Sequence, residues 1–181
     1  LTEFLPVSSS GHLVVVGHLL GITENQIAFS VVLHLGTICS LLFFFYKDII
    51  RLLQDKRQVG LLILVTAITG IIGIAGKDFF ESLFSSPRLV GGALFTTGCL
   101  LVGSKFIRRR NQESLTVRSA VILGLMQSVA IIPGISRSGI TIVTLLMLGF
   151  APASSFRISF LAAIPVLCAA SILEIKPVLS A

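Results

Sequence analysis

The segment Ile132-Pro133-Gly134-Ile135-Ser136-Arg137-Ser138-Gly139-Ile140-Thr141 sets one guanidinium and three hydroxyls between two apolar runs. Residues 121–132 on one side and 140–153 on the other carry no charge, which places Arg137 at membrane depth. An arginine there costs about 2.5–3.5 kcal/mol on insertion scales and marks a site with an anionic ligand or partner. Its planar fork of donors matches phosphate oxygens, and Ser136, Ser138 and Thr141 add hydroxyl donors. The chemistry is phosphate binding. A short extramembrane turn with a solvated Arg137 is the competing reading, and so compact a set of Pro, Gly and hydroxyls argues against it.

A second knot opens the chain as Leu5-Pro6-Val7-Ser8-Ser9-Ser10-Gly11-His12, with Glu3 just ahead of it. Ser9 and His12 are three apart, so on a helix they share a face. His12 could take the Ser9 proton or attack a phosphorus itself. Glu3 could act as base, orient His12, or hold a divalent metal ion such as Mg or Ca. Ser8 and Ser10 join the phosphate donors, although local capping of a helix is an equal use for any one hydroxyl. At one constant offset Ser8 aligns with Ser136, Ser10 with Ser138 and Gly11 with Gly139, and the register holds through Val15/Val143, Leu20/Leu148, Gly21/Gly149 and Leu33/Leu161. The expectation is a two-repeat membrane domain, residues 1–106 and 107–181.

The elements that must carry these knots are helices in lipid. Hydrophobic residues make up 54% of the chain and charged ones 12%, and mean hydropathy is +1.00. A soluble domain would carry about twice that charge. Four segments can cross a core of about 30 Å: Ile27–Tyr46, Val59–Gly76, Leu89–Ile107 and Ser155–Ile175. The pieces Gly11–Leu20 and Gly139–Leu148 reach half that depth, as returning arms of re-entrant loops. Val117–Ile132 is the arm entering the second loop, with Thr116 as its N-cap. Three spans between the loops invert the second repeat relative to the first, which lets the two tips meet near the midplane. Lys47, Arg51, Lys56 and Arg57 in one connection, and Lys105, Arg108, Arg109, Arg110 and Arg118 in another, mark the cytoplasmic face; only Lys77 and Arg88 lie between them. The net charge of +6 is thus explained by headgroups and membrane orientation, with no nucleic acid implied.

Other candidates read as structural. His18 and His34 lack the neighbours that His12 has and read as satisfied helix residues. Cys39, Cys99 and Cys168 sit in apolar runs without metal-ligand spacing and read as buried small hydrophobes. Asp48, Asp55, Asp78, Glu81 and Glu113, with Glu24 and Glu174 at span ends, read as solvated charge. Leu1 opens inside the first motif and the second repeat stops early, so further chain is expected at both ends.

Glu3-Phe4-Leu5-Pro6-Val7-Ser8-Ser9-Ser10-Gly11-His12-Leu13, together with Pro133-Gly134-Ile135-Ser136-Arg137-Ser138-Gly139-Ile140-Thr141, closely resembles the bacterial undecaprenyl-diphosphate phosphatases; Leu33-His34-Leu35-Gly36-Thr37 extends the likeness. The resemblance implies an all-α, multi-pass enzyme of the inner membrane that hydrolyses undecaprenyl diphosphate to the monophosphate. This would recycle the lipid carrier of peptidoglycan synthesis and underlie bacitracin resistance. The family's acidic motif pairs a Glu or Gln with a Glu four residues later; Glu3 matches the second, and the first would precede Leu1. The partners implied are the lipid substrate and the bilayer, with a homodimer as a further candidate. A phosphatidic-acid-phosphatase type is disfavoured because Val143 stands where its motif needs His. A lipid-phosphate transporter or flippase would suit inverted repeats and broken helices equally well.

Overall fold

The computed structural model describes residues 3–20, 26–84, 86–107 and 111–179, with side chains described outside 26–31 and 173–179. Glu24, the Arg108 to Arg110 cluster and the Glu174 side chain therefore lie outside the described residues. Within them the chain is helical: α1 (Ser9–Leu20), α2 (Gln26–Phe44), α3 (Tyr46–Gln54), α4 (Lys56–Ala75), α5 (Lys77–Phe84), α6 (Pro87–Gly103), α7 (Val117–Val129), α8 (Arg137–Met147) and α9 (Pro152–Leu179). The protein is an all-α integral membrane protein. By length and hydropathy α4, α9 and α6 with its 3-10 extension to Phe106 can each cross a bilayer, and the α2–α3 pair, bent by 74° at Phe45, makes a fourth candidate. The expected first span, Ile27–Tyr46, thus breaks at its end, and its basic connection becomes the amphipathic helix α3.

Helix ends follow the residues that can cap them. Thr116 and Ser119 close a reciprocal capping box at α7, and Pro87 occupies the first turn of α6, where a missing N–H costs nothing. Asp55 accepts from the backbone N–H groups of Arg57 and Gln58, so this exposed carboxylate caps α4 as well as meeting solvent. Asp48 also departs from the solvated reading: it is half-buried and pairs at 3.6 Å with Arg157 of α9, tying α3 to that helix. Cys39 and Cys99 are exposed on their helices instead of buried, because an outward face in lipid is as apolar as a core.

α9 is the central post. It packs against α2, α4 and α8, and α4 lies along α7. The core centres on Leu41, Val65, Leu123, Leu145, Phe150 and Phe160. Between α4 and α7 the contact is close enough that Gly124 faces Ile68 directly. Thr69 there donates to the Gly124 carbonyl at 3.3 Å and accepts from the Gln127 amide at 3.2 Å. Such interhelical bonds between polar side chains are typical glue for apolar helices.

The helices α7 and α8 are short, about 20 and 16 Å at 1.5 Å per residue, and pack against one another. Gln112, ahead of α7, donates its backbone N–H to the Gly149 carbonyl and accepts from the Ala151 N–H. The chain therefore leaves this helical hairpin at the end where it entered. α4, by contrast, runs about 30 Å from Asp55 to Gly76 and carries the chain to the far side. Single cysteines placed at Arg57 and at Lys105 should accordingly be labelled from one side of sealed vesicles and one at Asp78 from the other. Equal labelling of all three from one side would contradict this layout.

Candidate active site

The two knots fold alike. Ser8 precedes α1 and its hydroxyl oxygen accepts the Gly11 N–H at 3.3 Å; Ser136 precedes α8 and accepts the Gly139 N–H at 3.1 Å. Ser8 and Ser10 hydroxyls lie 3.3 Å apart, and so do those of Ser136 and Ser138. The serines expected to bind phosphate therefore also cap. These uses are compatible, since a cap uses an oxygen lone pair and leaves the O–H free to donate. One difference separates the knots: Ser8 holds φ at 61°, a left-handed conformation uncommon for a residue with a side chain, whereas Ser136 is extended. Non-glycine residues held there cluster at functional sites.

The knots also meet. A Cβ on Gly11 would lie 2.9 Å from the Gly134 Cα, and one on Gly134 would lie 2.5 Å from the Val90 carbonyl oxygen of α6. Gly134 sits at φ +97°, so glycine answers both its conformation and its crowding. Ser138 donates to the Leu5 carbonyl across the junction at 3.4 Å. Thr97 of α6 holds the second knot from behind, donating to the Gly134 carbonyl at 3.0 Å and accepting the Ser136 N–H at 3.1 Å. Nothing in its spacing marks Thr97 in the sequence, because its role is set by tertiary packing.

At the junction Glu3 joins the two knots. One carboxylate oxygen, Oε1, accepts the Ser9 hydroxyl, and the other, Oε2, lies 3.4 Å from Arg137 Nη2. Both charged side chains are largely withdrawn from the surface, with 14% and 15% exposed. Their attraction offsets the cost of placing an arginine in apolar surroundings. α1 and α8 both begin at this cluster, so their positive N-terminal ends converge on it with the guanidinium.

The remaining predicted residues divide. His12 is exposed, and its Nδ1 lies 2.7 Å from the Ser8 carbonyl. A carbonyl only accepts, so Nδ1 is the donor in this contact. The group within hydrogen-bond reach of Ser9 is thus Glu3, with His12 turned back on its own helix. Thr141 is fully buried; its hydroxyl donates to the Arg137 carbonyl at 2.7 Å and lies 2.6 Å from Ser159 Oγ of α9, so it braces α8 and faces away from the phosphate donors. His34 departs from the structural reading: its Nε2 lies 3.7 Å from Glu3 Oε1, a neighbour invisible in sequence because it comes from another helix.

Beside the charged cluster lies an apolar one. A cavity of about 380 Å³ begins at Phe4, next in chain to Glu3, and is walled by Phe44, Phe45, Phe156 and Phe160. Phe160 is its hinge, with ring centroids 5.9 Å from Phe4, 5.8 Å from Phe45 and 4.6 Å from Phe156. The arrangement therefore offers an anion seat and an apolar recess side by side. As to a metal, Glu3 presents a single carboxylate, and no group of three His, Cys, Asp or Glu among the described residues could hold an ion. The residues present fit an ion only as one ligand beside oxygens that a phosphate would bring.

Known proteins are similar to this chain along nearly its whole length. The undecaprenyl-diphosphatase of Halothermothrix orenii is 48% identical over 99% of this chain and 72% of its own length. That of Alkaliphilus metalliredigens is 43% identical over 99% of this chain and 74% of its own. That of Methanosphaera stadtmanae is 38% identical over 98% and 74%. The family model for bacitracin resistance protein BacA matches residues 1–181, every residue of the chain. With both knots, the Glu3–Arg137 pair and relatives at this identity, the chain belongs to the BacA family of membrane proteins.

Proposed function

We propose that Ser9, Glu3 and Arg137 carry the reaction of an undecaprenyl-diphosphate phosphatase, which releases inorganic phosphate and returns the monophosphate lipid carrier in the plasma membrane. The activity itself is that of the family. The observation that carries the assignment is the bridge of Glu3 between Ser9 on one side and Arg137 on the other. A transporter would need none of this hydroxyl–carboxylate–guanidinium contact, and the relatives are named as phosphatases.

The scheme follows from which group reaches which. The diphosphate enters where the N-termini of α1 and α8 and the Arg137 fork converge. Hydroxyls of Ser8, Ser10, Ser136 and Ser138 line that entry, and the polyprenyl chain turns toward the Phe160 recess. Phosphate oxygens compete with Glu3 for Arg137, which frees the carboxylate to take the Ser9 proton. Ser9 Oγ then forms a bond to the terminal phosphorus as the bond to the bridging oxygen breaks, and undecaprenyl phosphate leaves. Water attacks the resulting phosphoserine and releases inorganic phosphate, the proton passing by way of Glu3. Arg137 holds the developing charge throughout. The matched caps of the two knots support the two-repeat, inverted arrangement of residues 1–106 and 107–181, which brings the two helix ends to one anion.

Three outcomes test the scheme. Arg137→Lys should lose activity by roughly 10²–10³-fold, because a point charge cannot reproduce the bidentate fork; near-normal turnover in an inserted variant would make Arg137 a structural charge. An acid-stable, alkali-labile phosphoserine should be trapped during turnover. An acid-labile phosphohistidine would instead make His12 the nucleophile, and solvent oxygen entering phosphate in a single step would replace both with direct attack by water. Glu3 would also be one ligand of a divalent ion carried in on the diphosphate oxygens, so chelation should lower phosphate release and added Mg or Ca restore it; undiminished turnover in chelator leaves Glu3 as the base alone.

A further inference from the structure

His34 lies on α2, outside both knots, and its position in the chain assigns it nothing. Its Nε2 stands 3.7 Å from Glu3 Oε1, the same oxygen that accepts the Ser9 hydroxyl, and its side chain is 20% exposed. The opposite oxygen faces Arg137 at 3.4 Å. A carboxylate left alone with an arginine in apolar surroundings gains most by turning both oxygens onto the guanidinium fork. That collapse would strip Ser9 of its acceptor and occupy the donors that a phosphate needs. Something must hold Oε1 away from the fork, and Ser9 alone is a single hydroxyl on a rotatable bond.

We infer that His34 is a positioning residue for Glu3: its Nε2–H, presented from α2, keeps Oε1 on Ser9 while Oε2 stays with Arg137. This rests on Glu3 serving as the base for Ser9 in the phosphatase reaction. A neutral donor of the right reach suffices for the role. α2 packs along α9 and is fixed there, so the donor comes from a helix belonging to neither knot and does not move with them.

The requirement for reach gives the test, run on full-length protein in detergent with phosphate release from undecaprenyl diphosphate as the readout. In His34→Gln the amide nitrogen falls near the place of Nε2, whereas in His34→Asn it falls short and in His34→Leu it is gone. The expected result is kcat within about threefold of the parent for Gln and a loss of about 10- to 100-fold for both Asn and Leu. Asn is polar and close in size, so it carries the test if Leu fails to elute as a single species. Parent-like turnover in the Asn variant overturns the inference, and so does a Gln variant as impaired as Asn. Absence of phosphate release from the parent protein is a different result, which removes the phosphatase scheme itself.

Discussion

The constraint on which this structure depends is the charge of Arg137. A guanidinium among apolar helices must be neutralised and hydrogen-bonded, and removing the partner of such a pair costs on the order of 3–5 kcal/mol. The partner is Glu3, 134 residues earlier in the chain, so neutralising one charge requires the first knot to meet the second. The rest of the architecture serves that closure. Gly11 and Gly134 let the two backbones touch, Thr97 braces the second loop from α6, and Thr141 with Ser159 fixes α8 to the central post α9.

Both knots solve the same local problem with the same residues. A short helix that begins inside an apolar protein has free N–H groups that water cannot reach. Ser8 and Ser136 each satisfy one of them, the Gly11 and the Gly139 N–H. The capping requirement and the anion site are therefore one arrangement. Serine stands at the matching capping positions of both knots while the intervening residue differs, Ser9 in one and Arg137 in the other, and these two unlike residues meet Glu3 from opposite sides.

Much of this was legible because it is local. The span candidates, Thr116 as N-cap and the short helices after each knot follow from hydropathy and capping chemistry, whereas the contact of Glu3 with Arg137, 134 residues away, does not. What was missed came from neighbours supplied by other helices. His34 reads as structural until α2 is laid beside Glu3, Asp48 reads as solvated until Arg157 approaches it, and Thr97 has no signal at all. Thr141 shows a different kind of neighbour. It belongs to the motif by sequence, yet one helical turn past Arg137 its side chain points into α9. The expected contact of His12 with Ser9 is likewise replaced by a bond to the Ser8 carbonyl, which the left-handed turn at Ser8 presents to the ring.

Charge at the junction also bears on turnover. Two helix N-termini, each equivalent to about half a positive charge, and one guanidinium face a single carboxylate, so positive potential exceeds negative at the junction. In the proposed scheme a diphosphate, with more negative charge than Glu3 and many more acceptor oxygens, displaces that carboxylate from Arg137. Cleavage of the anhydride divides those oxygens between two products. Neither monophosphate can engage both helix ends and the fork as fully as their parent, and Glu3 can return to Arg137 as they separate. In the proposed scheme the Glu3–Arg137 pair is also the competitor that helps clear the site, which calls for a strength between that of substrate and product. A bidentate Glu3–Arg137 pair would be too strong for this role, and the observed sharing of Glu3 among Arg137, Ser9 and His34 keeps it weaker.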